Sequence, residues 1–236
     1  MRLEVDIRSK SYTSANGKRQ EVISGIAFTL QRGEVGVVVG PSGCGKSTMM
    51  RILAGLDSDY QGQVTRPDGA RLAMVFQEPR LLPWRSVEEN VRLAAPDVAD
   101  DRLAAIFGVL ELEGHRSHFP GELSLGLARR VALARAFAVE PDFLILDEPL
   151  ASLDDALAAR LREEIATLVA SRPMITLLVT HSMDDAVRLG DRIFLLSPRP
   201  ARLLHTMPIS VPRAQRTDAT VAAIKAELAG PDFSVS

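Results

Sequence analysis

The sequence predicts an α/β fold organised around a mostly parallel, buried sheet, and three observations carry that prediction. First, short β-branched or aliphatic runs recur along the chain: VGVVV at 35–39, RLAMVF at 71–76, FLIL at 143–146, ITLLVT at 175–180 and RIFLL at 192–196. Continuous rather than alternating apolar character is what strands covered on both faces show. Second, several of these runs are separated by helical spacing. In DALAARLREEIATLVASR, residues 155–172, Leu157, Leu161, Ile165 and Leu168 recur at intervals of four, four and three, which puts one apolar stripe against a sheet, and Pro173 closes the helix. Third, a glycine-rich loop leads from VGVVV straight into the helical stretch TMMRILAGL, the strand, loop, helix order of α/β units.

The other elements follow from weaker signals. LEVDIRS and ISGIAFTL, before Gly33, read as antiparallel strands joined by the turn-rich SANGK, and after Pro200 ARLLHTMPI reads as a further strand or hairpin. Between Gln77 and Ala138 the strand signal fades and helical spacing takes over. The expectation is therefore one domain over 1–236, with 1–76 and 139–236 forming an N-terminal antiparallel β subdomain plus the sheet core, and 77–138 an inserted α-helical subdomain. No internal repeat or low-complexity segment interrupts the chain.

Composition narrows the class of partner. The 28 basic and 30 acidic residues are well mixed, so the clustered basic footprint of a nucleic-acid binder is missing and nucleic acid is not an expected partner. The longest apolar runs fall far short of the roughly 20 residues that cross a bilayer, and MRLEVDIRSK does not resemble a signal peptide. Any membrane would have to be spanned by another chain. The lone Cys44 excludes an intramolecular disulfide and fits a reducing cytoplasm.

The chemistry starts at Gly40-Pro41-Ser42-Gly43-Cys44-Gly45-Lys46-Ser47-Thr48, a phosphate loop in its required context. The glycines let the backbone curl so that successive N–H groups face phosphate oxygens, and the helix start adds a favourable dipole. Lys46 supplies a point charge to β and γ phosphates, and the Ser47 hydroxyl joins a magnesium shell. Cys44 reads as a small filler whose backbone matters more than its thiol. FLILDEP supplies the second half: Asp147 ends a buried strand, where open α/β sheets bind ligands, and can hold magnesium directly or through water. Glu148 beside it can polarise an attacking water. An Asp-Glu pair alone would be an ordinary solvated strand end; the phosphate loop gives it meaning.

These motifs, in this order, resemble the nucleotide-binding subunit of an ATP-binding cassette transporter, and the resemblance covers nearly the whole chain. It implies a P-loop NTPase with a RecA-like core, ATP and Mg2+ as ligands, and further site residues. Tyr12 matches the aromatic ring placed against adenine, Gln77 the glutamine that links magnesium and the attacking water to the transmembrane partner, and His181 the histidine that contacts the γ-phosphate. Ser152-Leu153-Asp154 matches the loop that crosses to the opposite subunit. Without the resemblance Tyr12 would be a plain strand or turn residue, and a lone histidine is more often structural. His115 and His118 in GHRSHFP suggest a metal pair, but a solvated loop explains them better.

QEPRLLPWRSVEENV, residues 77–91, and LLSPRPARL, residues 195–203, resemble the ATPases of nitrate, sulfonate and taurine importers. The resemblance implies a membrane permease as partner, a second and identical ATPase subunit, an extracytoplasmic solute-binding protein acting indirectly, and a peripheral position at the cytoplasmic face of the inner membrane. Leu81, Leu82, Pro83 and Trp84 form an apolar patch suited to a permease helix, unless Trp84 packs into its own lobe.

The family signature begins Leu-Ser-Gly-Gly-Gln, whereas this chain has Leu123-Ser124-Leu125-Gly126-Leu127. In the family this segment starts a helix and meets the γ-phosphate bound to the other subunit of a head-to-tail dimer. Ser124 and Gly126 keep the hydroxyl and the close backbone approach. Leu127 removes an amide, a loss of order ~1 kcal/mol if that bond was made. Leu125 costs more only if its backbone must take φ > 0, which a helix start does not require. The expectation is a weakened but working closing surface, with an ATP-dependent dimerisation module of slight hydrolysis, or a non-transport ATPase of the same family, as the alternatives.

Overall fold

The computed structural model describes residues 2–14, 17–66 and 69–228. In chain order the elements are β1 (Arg2–Thr13), β2 (Arg19–Ile23), β3 (Ile26–Gln31), β4 (Val35–Val39), α1 (Lys46–Leu53), β5 (Gln61–Thr65), β6 (Leu72–Val75), α2 (Val87–Arg92), α3 (Asp100–Val109), α4 (Leu125–Ala138), β7 (Phe143–Asp147), α5 (Asp155–Ala170), β8 (Ile175–Thr180), α6 (Met183–Leu189), β9 (Arg192–Leu196), β10 (Leu203–Pro208) and α7 (Asp218–Leu228). They fall into two compact units, Met1–Gly69 with Ile175–Ser236, and Ala70–Met174.

In the first unit β1 is the hub of an antiparallel sheet, pairing with β2, β3 and β5. Leu3, Val5 and Ile7 of β1 point to one buried face, the period-two pattern of a strand covered on one side. Beside it, β9, β4 and β8 run parallel, with β10 antiparallel on the outer side of β9. All five residues of β4 are buried. A Cβ on Gly36 would lie 2.7 Å from the Leu30 side chain and 2.9 Å from Phe194, so only glycine lets β3 and β9 side chains close over this strand. Phe28 and Phe194 stack there with ring centroids 4.3 Å apart.

In the second unit β6 and β7 pair in parallel, α4 packs against β6, and α2, α3 and α5 pack against α4. Among the described residues no strand lies between Gln77 and Ala138. The α5 stripe packs as its spacing predicts, with Leu161, Ile165 and Leu168 buried and Leu157 half-buried, and the helix stops at Ala170 ahead of Pro173.

The parallel strands lie where the apolar runs put them, but the antiparallel part is richer than expected. The segment that reads as one strand ISGIAFTL is the end of β2, a turn at Gly25 and β3, and β1 runs on past Ser9 to Thr13. Within the expected SANGK turn, Ala15 and Asn16 lie outside the described residues. β2 and β5 escape a reading of apolar runs because RQEVI and QGQVT are mostly exposed. Among the described residues no helix is long and apolar enough to cross a membrane.

Candidate nucleotide site

Each unit carries part of the expected site. In the first, β4 ends at Val39, which pairs in parallel with Thr180 of β8 and Leu195 of β9. The loop after β4 therefore leaves the same strand edge as His181, which directly follows β8 and is exposed. The crowding there dictates glycine: a Cβ on Gly40 would come within 3.1 Å of both Leu196 Cβ and Cys44 Sγ. Gly43 and Gly45 take φ of 74° and 134°, which side chains other than glycine strongly disfavour. Cys44 is buried and fills the loop's inside, while Ser42, Gly43 and Ser47 face out.

Helix α1 starts with Gly45 as its N-cap, with no side-chain cap and no acidic residue in its first turn. Among the described residues no side chain caps its leading N–H groups, which is how a helix start accommodates an anion. Lys46 is buried, and its Nζ donates to the carbonyls of Gly40 at 2.7 Å and Pro41 at 3.0 Å, so the ammonium folds back over the loop.

Tyr12 lies near the end of β1, paired with Gln20. Its hydroxyl donates to Asp57 Oδ2 at 3.0 Å, and the Lys10 ammonium stands 4.6 Å from its ring centroid. Lys10 is itself buried and donates to Asp57 at 2.9 Å and Asp59 at 3.3 Å. Burial works against the charged forms, but hydrogen bonds from Lys10, Tyr12 and the Asp59 N–H outweigh it and hold the Asp57 carboxyl below its ordinary range. Burial opposes the Lys10 ammonium as well, but hydrogen bonds to the Asp57 and Asp59 carboxylates, and their charges, raise its pKa.

In the second unit Val75 of β6 pairs with Leu146 of β7, so Gln77 and the Asp147-Glu148 pair leave one edge of adjacent parallel strands. Glu148 is half-buried and its backbone is left-handed, with φ of 46°. That conformation is uncommon for a residue with a Cβ and persists where the surroundings enforce it. Ser152 is also left-handed, at φ 61°, and Asp154 caps α5, accepting from Leu157 N at 2.9 Å.

The LSLGL segment starts α4. Ser124 is its extended N-cap, and its hydroxyl accepts from the Leu127 N–H at 3.3 Å. Leu125 is the first helical residue and is not left-handed, so it carries no backbone strain; it is instead an exposed leucine at the helix tip. A Cβ on Gly126 would lie 2.6 Å from Leu157 Cδ2, so this glycine also lets α4 approach the first turn of α5.

Comparison with known proteins decides the family. The sequence profile of the family described as ABC transporter matches residues 23–151, more than half of the chain. This chain belongs to the ABC transporter family. It is an ATPase domain of that family, and relatives cover most of it. The aliphatic sulfonates import ATP-binding protein SsuB 2 of Burkholderia cenocepacia is 42% identical over 217 residues, spanning 88% of this chain and 80% of the relative. SsuB of Bacillus subtilis is 35% identical over 230 residues, 92% of this chain and 89% of the relative. Among solved structures, an ATP binding subunit of an ABC transporter is similar at TM-score 0.76 and 28% identity, over 97% of this chain and 99% of the other. The dimeric structure of a bacterial ABC transporter cassette is similar at TM-score 0.75 and 25% identity, over 89% and 100%.

Trp84 is 71% exposed, which removes the alternative that it packs into its own lobe; Pro83 is exposed and Leu81 and Leu82 are half-buried. The loop that presents them is held by Asn90, fully buried in α2, whose side chain accepts from Leu82 N at 2.8 Å and donates to the carbonyls of Leu82, Arg85 and Ser86. Ser86 and Glu89 then close a reciprocal capping box at the start of α2. At the other end of the loop Arg135 of α4 donates to the carbonyls of Pro79 at 2.8 Å and Arg80 at 2.9 Å. An asparagine or arginine inside a helix reads as surface, so nothing in the sequence marked these anchors. The rings of His115 and His118 sit 5.1 Å apart, tilted, in the loop after α3.

Proposed function

We propose that the chain binds and hydrolyses ATP with Mg2+ to drive a membrane permease that imports a sulfonate-type small anion, working as a head-to-tail homodimer at the cytoplasmic face of the membrane. The names of the relatives support the solute class, and the dimeric cassette of similar fold supports the assembly. The exposed Trp84, on a loop fixed by Asn90 and Arg135, suits a permease contact because a preset apolar patch loses little freedom on docking. A solute-binding protein outside the membrane would deliver the substrate.

In this reading Lys46 exchanges its two carbonyl acceptors for β and γ phosphate oxygens, a stronger charge-assisted pairing. Backbone N–H groups of Ser42 to Thr48 surround the phosphates, and Tyr12 stacks on adenine. Ser47, Gln77 and Asp147 would supply the few oxygen ligands that magnesium takes beside phosphate and water, and a bound ion would neutralise phosphate charge. Glu148 accepts a proton from the attacking water, His181 contacts the γ-phosphate, and Ser124, Gly126 and Asp154 act from the opposite copy.

The observation that carries hydrolysis rather than binding alone is Glu148: a half-buried carboxylate one residue past Asp147, set by a left-handed backbone. Glu148→Gln tests it. Phosphate release should fall by about 10²-fold or more, with an ATP-bound dimer accumulating on size exclusion. Equal rates in variant and wild type would instead indicate an ATP-driven binding module.

A further inference from the structure

Arg129 and Arg130 are neighbours in α4, both buried, in opposite environments. Arg130 is fully answered: Nε donates to Glu164 at 3.0 Å, one Nη to its other oxygen, and Nη1 pairs with Glu111 at 3.0 Å. Arg129, only 5% exposed, makes a single hydrogen bond among the described residues, from Nη1 to the Pro149 carbonyl at 3.2 Å, and its buried Nε has no partner among them. Burial alone pushes its pKa down, with no neighbouring charge to oppose it. An uncompensated buried guanidinium is unfavourable, and packing alone would be better served by an apolar side chain.

What Arg129 holds is the residue next to Glu148, whose φ of 46° is left-handed. The same device recurs in the loop after Gln77: Arg135 donates to the carbonyl of Arg80, which is left-handed at φ 48°. Two left-handed turns, one directly after β7 and one in the loop that follows β6, are thus fastened by arginines of one helix, and that helix begins with LSLGL.

We propose that Arg129 is a positioning residue for ATP hydrolysis: through the Pro149 carbonyl it holds the turn that aims Glu148, and so ties the carboxylate to the signature helix. The inference rests on the reading of Glu148 as the residue that orients the attacking water. A misplaced base lowers the rate of the chemical step and leaves nucleotide binding alone.

Steady-state phosphate release by the purified full-length chain, across ATP concentrations, tests it with Arg129→Met, Arg129→Lys and Glu148→Gln. Arg129→Met should lower kcat about 10- to 100-fold with KM within about twofold, at a melting temperature close to wild type. Arg129→Lys, which keeps the charge and a donor, should recover most of the rate. Added to Glu148→Gln, Arg129→Met should change the residual rate by less than about twofold, because it acts through Glu148. Where the methionine variant does not fold, Arg129→Gln should show the same split between kcat and KM. An unchanged kcat, a rise in KM alone, or a full multiplicative loss in the Glu148→Gln background would overturn the inference. Glu148→Gln turning over at the wild-type rate would instead sink the reading of Glu148 itself.

Discussion

Helices α1 and α4 each begin where phosphate contact is proposed, and their first turns are built differently. The start of α1 has a glycine cap, no side-chain hydrogen bond, and a lysine folded back over the preceding loop. The start of α4 is capped from within by Ser124, and its tip carries the exposed Leu125. The first arrangement leaves its N–H groups to an outside anion and brings a cation to it; the second already satisfies one N–H itself and offers an apolar tip. Phosphate affinity should therefore reside in the α1 loop, with α4 adding a weaker contact in the proposed dimer.

The largest effect expected from this difference is at Lys46. Lys46→Ala removes the only side-chain cation of the loop and should reduce turnover about 10²- to 10³-fold, together with ATP binding measured by a fluorescent analogue. Ser124→Ala should be milder: it removes the cap of α4, about 1 kcal/mol of stability, and turnover should fall roughly tenfold with ATP affinity of the monomer unchanged. If Ser124→Ala weakened monomer affinity as much as Lys46→Ala, the contrast between the two helix starts would fail.

A smaller, pH-dependent effect is expected at Asp57, which fixes Tyr12 and Lys10. Because its folded pKa lies below its ordinary value, its contribution is present above the usual carboxylate range and is lost as pH falls through the depressed folded value. Asp57→Asn should therefore destabilise the protein by about 2 kcal/mol at neutral pH, and urea denaturation curves of variant and wild type should converge in acid. A gap that stayed constant with pH would assign the effect to packing.

How much could be read in advance follows the same division. The phosphate loop is local: strand, glycines and helix are contiguous, and the parallel strands announce themselves as unbroken apolar runs. Family membership was legible from those motifs and their order. The polar edge strands β2 and β5 were not, because their pairing with β1, rather than their own side chains, makes them strands. Around the site, the unreadable part is long-range: Asn90 bonds back to residues up to eight positions away, Arg135 reaches over fifty, and Arg129 twenty. Whether Leu125 is strained depended on its backbone, which lies in the helix and settles the question in favour of an unstrained start.

The central claim is that the LSLGL helix start is weakened and still works. The direct measurement is ATP turnover of the chain with its membrane partner, in the wild type and in Leu125→Gly with Leu127→Gln. Measurable turnover in the wild type, raised about fivefold by the double change through one recovered hydrogen bond of order 1 kcal/mol, is the expected result. No turnover in the wild type, and none restored by the double change, would contradict it.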